Sequence, residues 1–194
     1  MSSSKPLRVF ITGASSGIGQ ALAKHYASQG ATLGLVARRS EVLQTLSAEL
    51  GVECASYALD VRDGDALEKA AQDFMARFGV PDIVIANAGV SRGTLTEHKE
   101  DIAAFKAVME INVLGMVQTF QPFIAAMRKA GKGRLVGIAS VAGVRALQHH
   151  RRQRLHRPHR LRLSSGAGKA PGWNGLQGEP DDGPLRRPGP VGSA

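Results

Sequence analysis

The apolar run Leu7-Arg8-Val9-Phe10-Ile11 passes without a gap into Thr12-Gly13-Ala14-Ser15-Ser16-Gly17-Ile18-Gly19. The run reads as a strand, the glycines as a tight turn, and the residues from position 17 to 29 as a helix. Along that helix Ile18, Leu22 and Tyr26 recur at helical spacing on one face. A strand feeding a helix through such a turn brings bare backbone N–H groups and a helix N-terminus to one point, an arrangement suited to a pyrophosphate. Gly13 permits the turn, Gly17 lets phosphates approach the backbone, and Gly19 lets helix and strand pack closely. A surface loop merely rich in glycine and serine would need no strand and helix in register on either side.

The alternation continues along the chain. Strands are expected over 7–12, 31–37, 53–59, 82–87 and 134–139, and helices over 17–29, 40–50, 63–78 and 101–129, with Ser40 as the N-cap of the second helix. Strands alternating with helices of this length predict an α/β fold, a doubly wound parallel sheet of Rossmann type covered on both faces. Near Leu147 the texture changes. Four of the six histidines lie between positions 149 and 159, six of the nine prolines lie at or beyond Pro158, and Ile, Phe, Tyr and Met are absent after position 147. Such a segment buries too little apolar surface to offset its ordering entropy. Two domains are therefore expected: residues 1–147, folded, and residues 148–194, a disordered basic, Gly/Pro-rich tail.

The net charge of +9 invites a nucleic-acid partner, but residues 148–194 carry nine Lys and Arg against three Asp and Glu, so the tail supplies +6 of it. Six arginines between 149 and 162 could hold a polyanion only weakly, without sequence preference, and with steep salt dependence. No specific nucleic-acid partner is expected. Cys54, the single cysteine, excludes an internal disulfide and reads as a small buried hydrophobe. No apolar segment is expected to span a membrane, and Met1-Ser2-Ser3-Ser4-Lys5-Pro6 has no signal-peptide character. These features fit a cytoplasmic setting.

The glycine spacing is G-x-x-x-G-x-G, with Thr12, Ser15 and Ser16 inside it. Asn87-Ala88-Gly89 follows the strand Ile83-Val84-Ile85-Ala86, Asn112 lies in the long helical stretch, and Ser140 ends the strand Leu135-Val136-Gly137-Ile138-Ala139. In these motifs, their order and their spacing, residues 7 to about 146 resemble the short-chain dehydrogenase/reductase family. The resemblance implies a nicotinamide dinucleotide cofactor and a hydride exchanged with a carbonyl or secondary alcohol. Gly13, Ser15, Ser16, Gly17, Ile18 and Gly19 would line the phosphates and the adjoining ribose.

After the second strand stands Ala37-Arg38-Arg39-Ser40, with no carboxylate before Glu41. Arginines there suit a 2′-phosphate, so NADP is expected rather than NAD; two solvated arginines ahead of a helix would use the same residues. Asp60-Val61 resembles the family's adenine contact, and an Asx turn is the equal alternative. Asn87, Ala88 and Gly89 would supply backbone beside the cofactor and brace the central strand. The loop Arg92-Gly93-Thr94-Leu95 borders the cleft without naming a substrate.

Ser140 matches the family's substrate-binding serine and Asn112 its relay asparagine, with a helix-bending role open for the latter. No metal is implied. The family's tyrosine and lysine, four residues apart, should follow Ser140 by roughly a dozen residues, a spacing that the resemblance supplies. Residues 150–160 hold neither, and the chain's two tyrosines are Tyr26 and Tyr57. The chain is therefore expected to be a truncated, inactive form of an oxidoreductase whose relatives are usually homo-oligomeric. Its sheet should be incomplete on the C-terminal side, with Val136 and Ile138 on an exposed edge.

A shifted reading frame is the expected origin of the tail. Read from the third base of the Gly168 codon, the codons for Gly168 to Asn174 can encode Glu-Ser-x-Arg-Val-Glu, which resembles the helix after the family's lysine. The alternative is a non-catalytic dinucleotide-binding or interaction protein with a genuine tail.

Overall fold

The computed structural model describes residues 5–92 and 98–140. Five parallel strands form one sheet: β1 (Arg8–Thr12), β2 (Thr32–Ala37), β3 (Cys54–Ala58), β4 (Ile83–Ala86) and β5 (Arg134–Gly137). Their order across the sheet is β3-β2-β1-β4-β5. Helices α1 (Gly17–Ser28), α2 (Ser40–Leu50) and α3 (Gly64–Phe78) connect successive strands. Between β4 and β5 runs one long helix, in which α4 (Asp101–Met109) and α5 (Gly115–Ala130) flank a π-helical turn, Glu110–Leu114. The doubly wound Rossmann-type architecture is as expected.

Alternation within β1 builds the two layers. Val9 and Ile11 face one side, where they pack with Leu33, Leu35, Ile83 and Ile85 against Ala23 and Ala27 of α1 and Leu43 and Leu46 of α2. Phe10 faces the other, with Val36 and Val84, against Phe74 of α3 and Phe123 and Met127 of α5. The Phe10 ring meets Phe74 edge-on at 5.4 Å and Phe123 at 4.9 Å. Gly34 beside them leaves room for the rings, since a side chain there would strike Phe10 and Phe74. Strands covered on both faces must be apolar throughout, and all six residues of β2 are buried.

Several expectations need correction. Leu22 and Tyr26 pack partly against the core, but Ile18 is 60% exposed, and the buried face of α1 is Gly19, Ala23 and Ala27. Small side chains let this helix lie close to the sheet, so its contact face is not the stripe of large apolar residues. Arg39, not Ser40, occupies the N-cap of α2, and no side chain caps that helix. The helix Asp101–Ala130 is also long and apolar enough, by length and composition, to cross a membrane. Between Ala107 and Met127 its single charged residue is Glu110. Its stripe Gly115, Thr119, Phe123 and Met127 is buried in this fold, whereas Phe105, Met109, Val113, Leu114, Val117 and Ile124 are exposed.

On the far side of β4, all of β5 is exposed, with Leu135 and Val136 at 43% and 37%. Val136 thus stands as expected, while Ile138 packs partly against the core. Cys54 is half-buried beside the same cluster, and burial pushes its thiol above the ordinary range. The proposed boundary at 147/148, the tail, and Gly93, Thr94 and Leu95 lie outside the described residues.

Candidate functional site

Because all five strands are parallel, their C-terminal ends share one rim of the sheet. The strand order reverses direction between β1 and β4, which opens a crevice at that point of the rim. Each residue named from the sequence follows a strand end. Gly13 to Gly19 follow β1, Arg38 and Arg39 follow β2, Asp60 and Val61 follow β3, Asn87 to Gly89 follow β4, and Ser140 follows β5. Asn112 reaches the same rim from the π turn.

The turn after β1 is built from close backbone approaches. Gly13 has φ +69°, and a Cβ there would lie 2.8 Å from both Ala88 Cα and Asn87 Nδ2. A Cβ on Gly19 would overlap the Gly13 carbonyl. Gly17, at φ +56°, has nothing within 4 Å of where a Cβ would be, so the turn is open toward solvent there. Ser16 is the N-cap of α1 in extended conformation, but its side chain makes no capping bond, and the first turn holds no acidic residue. Among the described residues no side chain caps the first N–H groups of α1. By contrast α3 is capped, with Asp63 Oδ1 accepting from the Ala66 N–H at 3.0 Å.

Thr12, fully buried, organises the crevice, a role the sequence did not reveal. Its Oγ1 accepts from the N–H groups of Asn87 (3.2 Å) and Ala88 (3.3 Å) and donates to the Ile85 carbonyl at 3.5 Å. Asn87 Nδ2 in turn donates to the carbonyls of Thr12 (3.0 Å) and Gly13 (3.2 Å). The loop after β4 is thus pinned to the turn after β1. The one clue in the sequence is a polar, β-branched residue ending an otherwise apolar strand.

Asn112 performs a similar task one layer out. Its Oδ1 accepts from the Val90 N–H at 2.8 Å and its Nδ2 donates to the Val90 carbonyl at 2.9 Å, a closed pair that holds the β4 loop against the long helix. The Gly115 N–H donates to the Glu110 carbonyl, five residues back, so the helix is widened where Asn112 leaves it. Ser140 lies three residues beyond β5 and is exposed, in a stretch still tied to β4 by the Ile138 N–H donating to Ala86 at 3.0 Å.

At the other end of the crevice Arg39 reaches back to the glycine-rich turn. Its Nη2 donates to the Ser15 carbonyl at 3.3 Å and to Ser15 Oγ at 3.2 Å. Asp60 forms the Asx turn, with Oδ1 accepting from the Arg62 N–H at 3.0 Å, and its carboxylate also holds the Arg62 guanidinium, Oδ2 to Nη2 at 2.7 Å. Those Arg62 hydrogen bonds, with Arg38 adding at longer range, keep the Asp60 carboxyl below its ordinary value. Oδ2 retains a second acceptor direction. The Val61 side chain is buried in the core against Gly115, so only its backbone is available at the rim. Among the described residues no group of three His, Cys, Asp or Glu could hold a metal.

The donor set matches a dinucleotide diphosphate: an uncapped helix N-terminus, a glycine with free space before it, and arginines beside the next strand end. The family model for short chain dehydrogenases matches residues 8–151. An uncharacterised oxidoreductase of Mycobacterium tuberculosis is 34% identical over 145 residues, 72% of this chain and 57% of that protein. The 11-beta-hydroxysteroid dehydrogenase 1A of Arabidopsis thaliana is 37% identical over 139 residues, 69% of this chain and 39% of that protein. The alcohol dehydrogenase of Thermococcus sibiricus, solved with 5-hydroxy-NADP, superposes with a TM-score of 0.65 at 32% identity, covering 74% of this chain and 62% of that one. The chain thus spans less than two thirds of each of these proteins.

Proposed function

The chain belongs to the short-chain dehydrogenase/reductase family of oxidoreductases, and from that premise we propose that its rim of strand ends binds NADP(H). The observation that carries this proposal is the uncapped N-terminus of α1 behind the open Gly17. Gly13, Ser15, Ser16, Gly17, Ile18 and Gly19 hold the diphosphate and the adjoining ribose, largely through backbone N–H groups. The exposed Ile18 offers an apolar surface beside them. Arg38 and Arg39 favour the 2′-phosphorylated cofactor over NAD. Asp60 and the Val61 backbone bound the adenine, and Asn87, Ala88 and Gly89 support the centre of the cofactor.

When bound, the nicotinamide dinucleotide supplies or takes the hydride exchanged with a carbonyl or secondary alcohol. Ser140 would hydrogen-bond the substrate oxygen, and Asn112 would hold the β4 loop in register for it. Neither tyrosine, both among the described residues, is placed to move the proton. Tyr26 lies in α1, and Tyr57 in β3 already donates to Asp73 at 2.7 Å. Burial and the Asp73 carboxylate push the Tyr57 phenol above its ordinary range, the wrong direction for proton transfer near neutral pH. The chain is thus proposed to bind cofactor and not to turn over. The shifted frame after Gly143 is proposed as the origin of that loss, and a cytoplasmic setting goes with it.

The test is a fluorescence titration of the purified chain with NADPH and NADH, followed by turnover assays on ketones and aldehydes. Saturable NADPH binding without turnover is expected. Absence of binding overturns the site; measurable turnover overturns the claim of inactivity. Resequencing the gene from the Gly143 codon separates the two origins of the tail. A second frame encoding Tyr-x-x-x-Lys supports the shift, and its absence favours a dinucleotide-binding protein with a genuine tail.

A further inference from the structure

Residues 111–140 contain no Asp or Glu, and their four Lys and Arg all fall between positions 128 and 134. Arg128 and Lys129 lie in the last turn of α5, Gly131 at φ +66° ends the helix, and Lys132 and Arg134 lead into β5. Lys132 donates to Asp82 at 3.0 Å, but among the described residues no carboxylate pairs with Arg128, Lys129 or Arg134. Apolar surface adjoins these cations. A groove of about 320 Å³ runs between α5 and β5, lined by Ile124, Met127 and Leu135 with Arg128 and Lys132 beside them. Val117, Ile124 and Arg128, spaced by seven and four, share one face of α5, away from its buried stripe, and Val117, Ile124 and Leu135 are exposed. We propose that this basic turn and the apolar face beside it form a docking surface for an anionic lipid bilayer.

Charge chooses the occupant. Exposed apolar side chains flanked by unpaired cations complement a surface that is apolar within and negative outside. Val117, Ile124 and Leu135 enter the acyl boundary, while Arg128, Lys129 and Arg134 meet the headgroup phosphates and carboxylates. A second copy of this chain, docked through the same patch, offers no carboxylate within 111–140 to meet those cations. The bilayer is touched and not crossed, because Phe123 and Met127 of the same helix stay packed in the core with Phe10 and Val84. The basic turn also stands at the N-terminal ends of parallel strands, so the glycine-rich rim at their C-terminal ends stays open to solution. Docking is therefore independent of the NADP(H) reading, and neither site occludes the other.

The experiment is flotation of the full chain with phosphatidylcholine vesicles, with and without about 30% phosphatidylserine. Binding to the anionic vesicles is expected to be about tenfold or more tighter than to the neutral ones. The six arginines between 149 and 162 would attract anionic lipid by charge alone, so variants decide where contact is made. Each Lys or Arg near such a surface corresponds to about fivefold in partitioning. R128Q/K129Q/R134Q, which spares the Asp82 partner Lys132, is expected to weaken binding about tenfold or more. Unchanged binding assigns the contact to the arginine-rich segment and overturns the proposal. Trp173 is the single tryptophan, so I124W in a W173F background reports on this face alone. Brominated acyl chains are expected to quench it, and an unquenched Trp on bound protein also overturns the proposal. V117W in the same background serves as a second probe, with melting temperatures showing that each variant is folded. If light scattering finds a dimer and neither vesicle binds it, the face belongs to a second copy and the lipid assignment falls.

Discussion

Thr12 shows how much a single side chain can decide. It is fully buried, and its one hydroxyl serves two backbone N–H groups of the β4 loop that have to stay in register with the glycine-rich turn. Thr12→Val keeps the shape and removes the acceptor, so the half-buried N–H groups of Asn87 and Ala88 lose their partner. The expected cost is about 2 kcal/mol, the usual penalty for stranding buried donors. For a domain of this size that lowers the melting temperature by roughly 5 °C. Thr12→Ser, which restores the hydroxyl and loses only a methyl group, should recover most of it. Equal losses in the two variants would show that packing, not hydrogen bonding, explains the burial of Thr12.

At the scale of elements, the π turn does for the long helix what Thr12 does for the strands. Asn112 leaves the widened segment and closes two hydrogen bonds on Val90. Asn112→Ala should leave helix content by circular dichroism unchanged and raise amide exchange at Val90 by about tenfold or more, the effect of losing about 1–2 kcal/mol of local protection. An unchanged exchange rate would mean that the loop is held by other contacts. The strands and α1 to α3 were legible within one or two residues, because β1 is an apolar run leading into the glycine-rich turn and β2 is apolar apart from Thr32. The π turn was not: one extra residue in a helix shifts the apolar period too little to see. Ile18 misled because periodicity weighs large side chains, whereas α1 docks through Gly19, Ala23 and Ala27. Asp60 was legible as two alternatives, and its Asx turn with Arg62 is the one that local hydrogen bonds display. Thr12 acquires its role only through Asn87 and Ala88, partners brought close by folding, which no local pattern encodes.

Across the whole molecule, the rim of glycine turns has its counterpart at the opposite end of the sheet, where charge ties three strands together. Arg8 begins β1, Asp82 precedes β4, and Lys132 precedes β5. Asp82 accepts from Arg8 Nε at 3.1 Å, from Arg8 Nη2 at 3.2 Å and from Lys132 Nζ at 3.0 Å, and the backbone of all three strands meets there as well. Partial burial pushes the Asp82 carboxyl up, but the hydrogen bonds from Arg8 and Lys132 outweigh it and bring it down to about 2, from an ordinary 3.8. A carboxyl held lower in the folded than in the unfolded chain adds stability above its ordinary value and loses it as pH falls toward its folded value. The Lys132 side chain is 63% exposed and adds little, whereas that of Arg8 is 11% exposed and would be left largely buried without a counter-charge. Asp82→Asn should therefore cost about 1–2 kcal/mol near pH 6, a figure reduced for solvent screening. Denaturant titrations of wild type and variant should show that gap narrowing steadily below pH 4 and falling to less than half near pH 2.5. A gap that stays constant with pH would assign the effect to the shape of the side chain and not to its charge. Cofactor binding at pH 7 should survive the substitution, because the ion pair and the glycine-rich turn lie at opposite ends of the same strands.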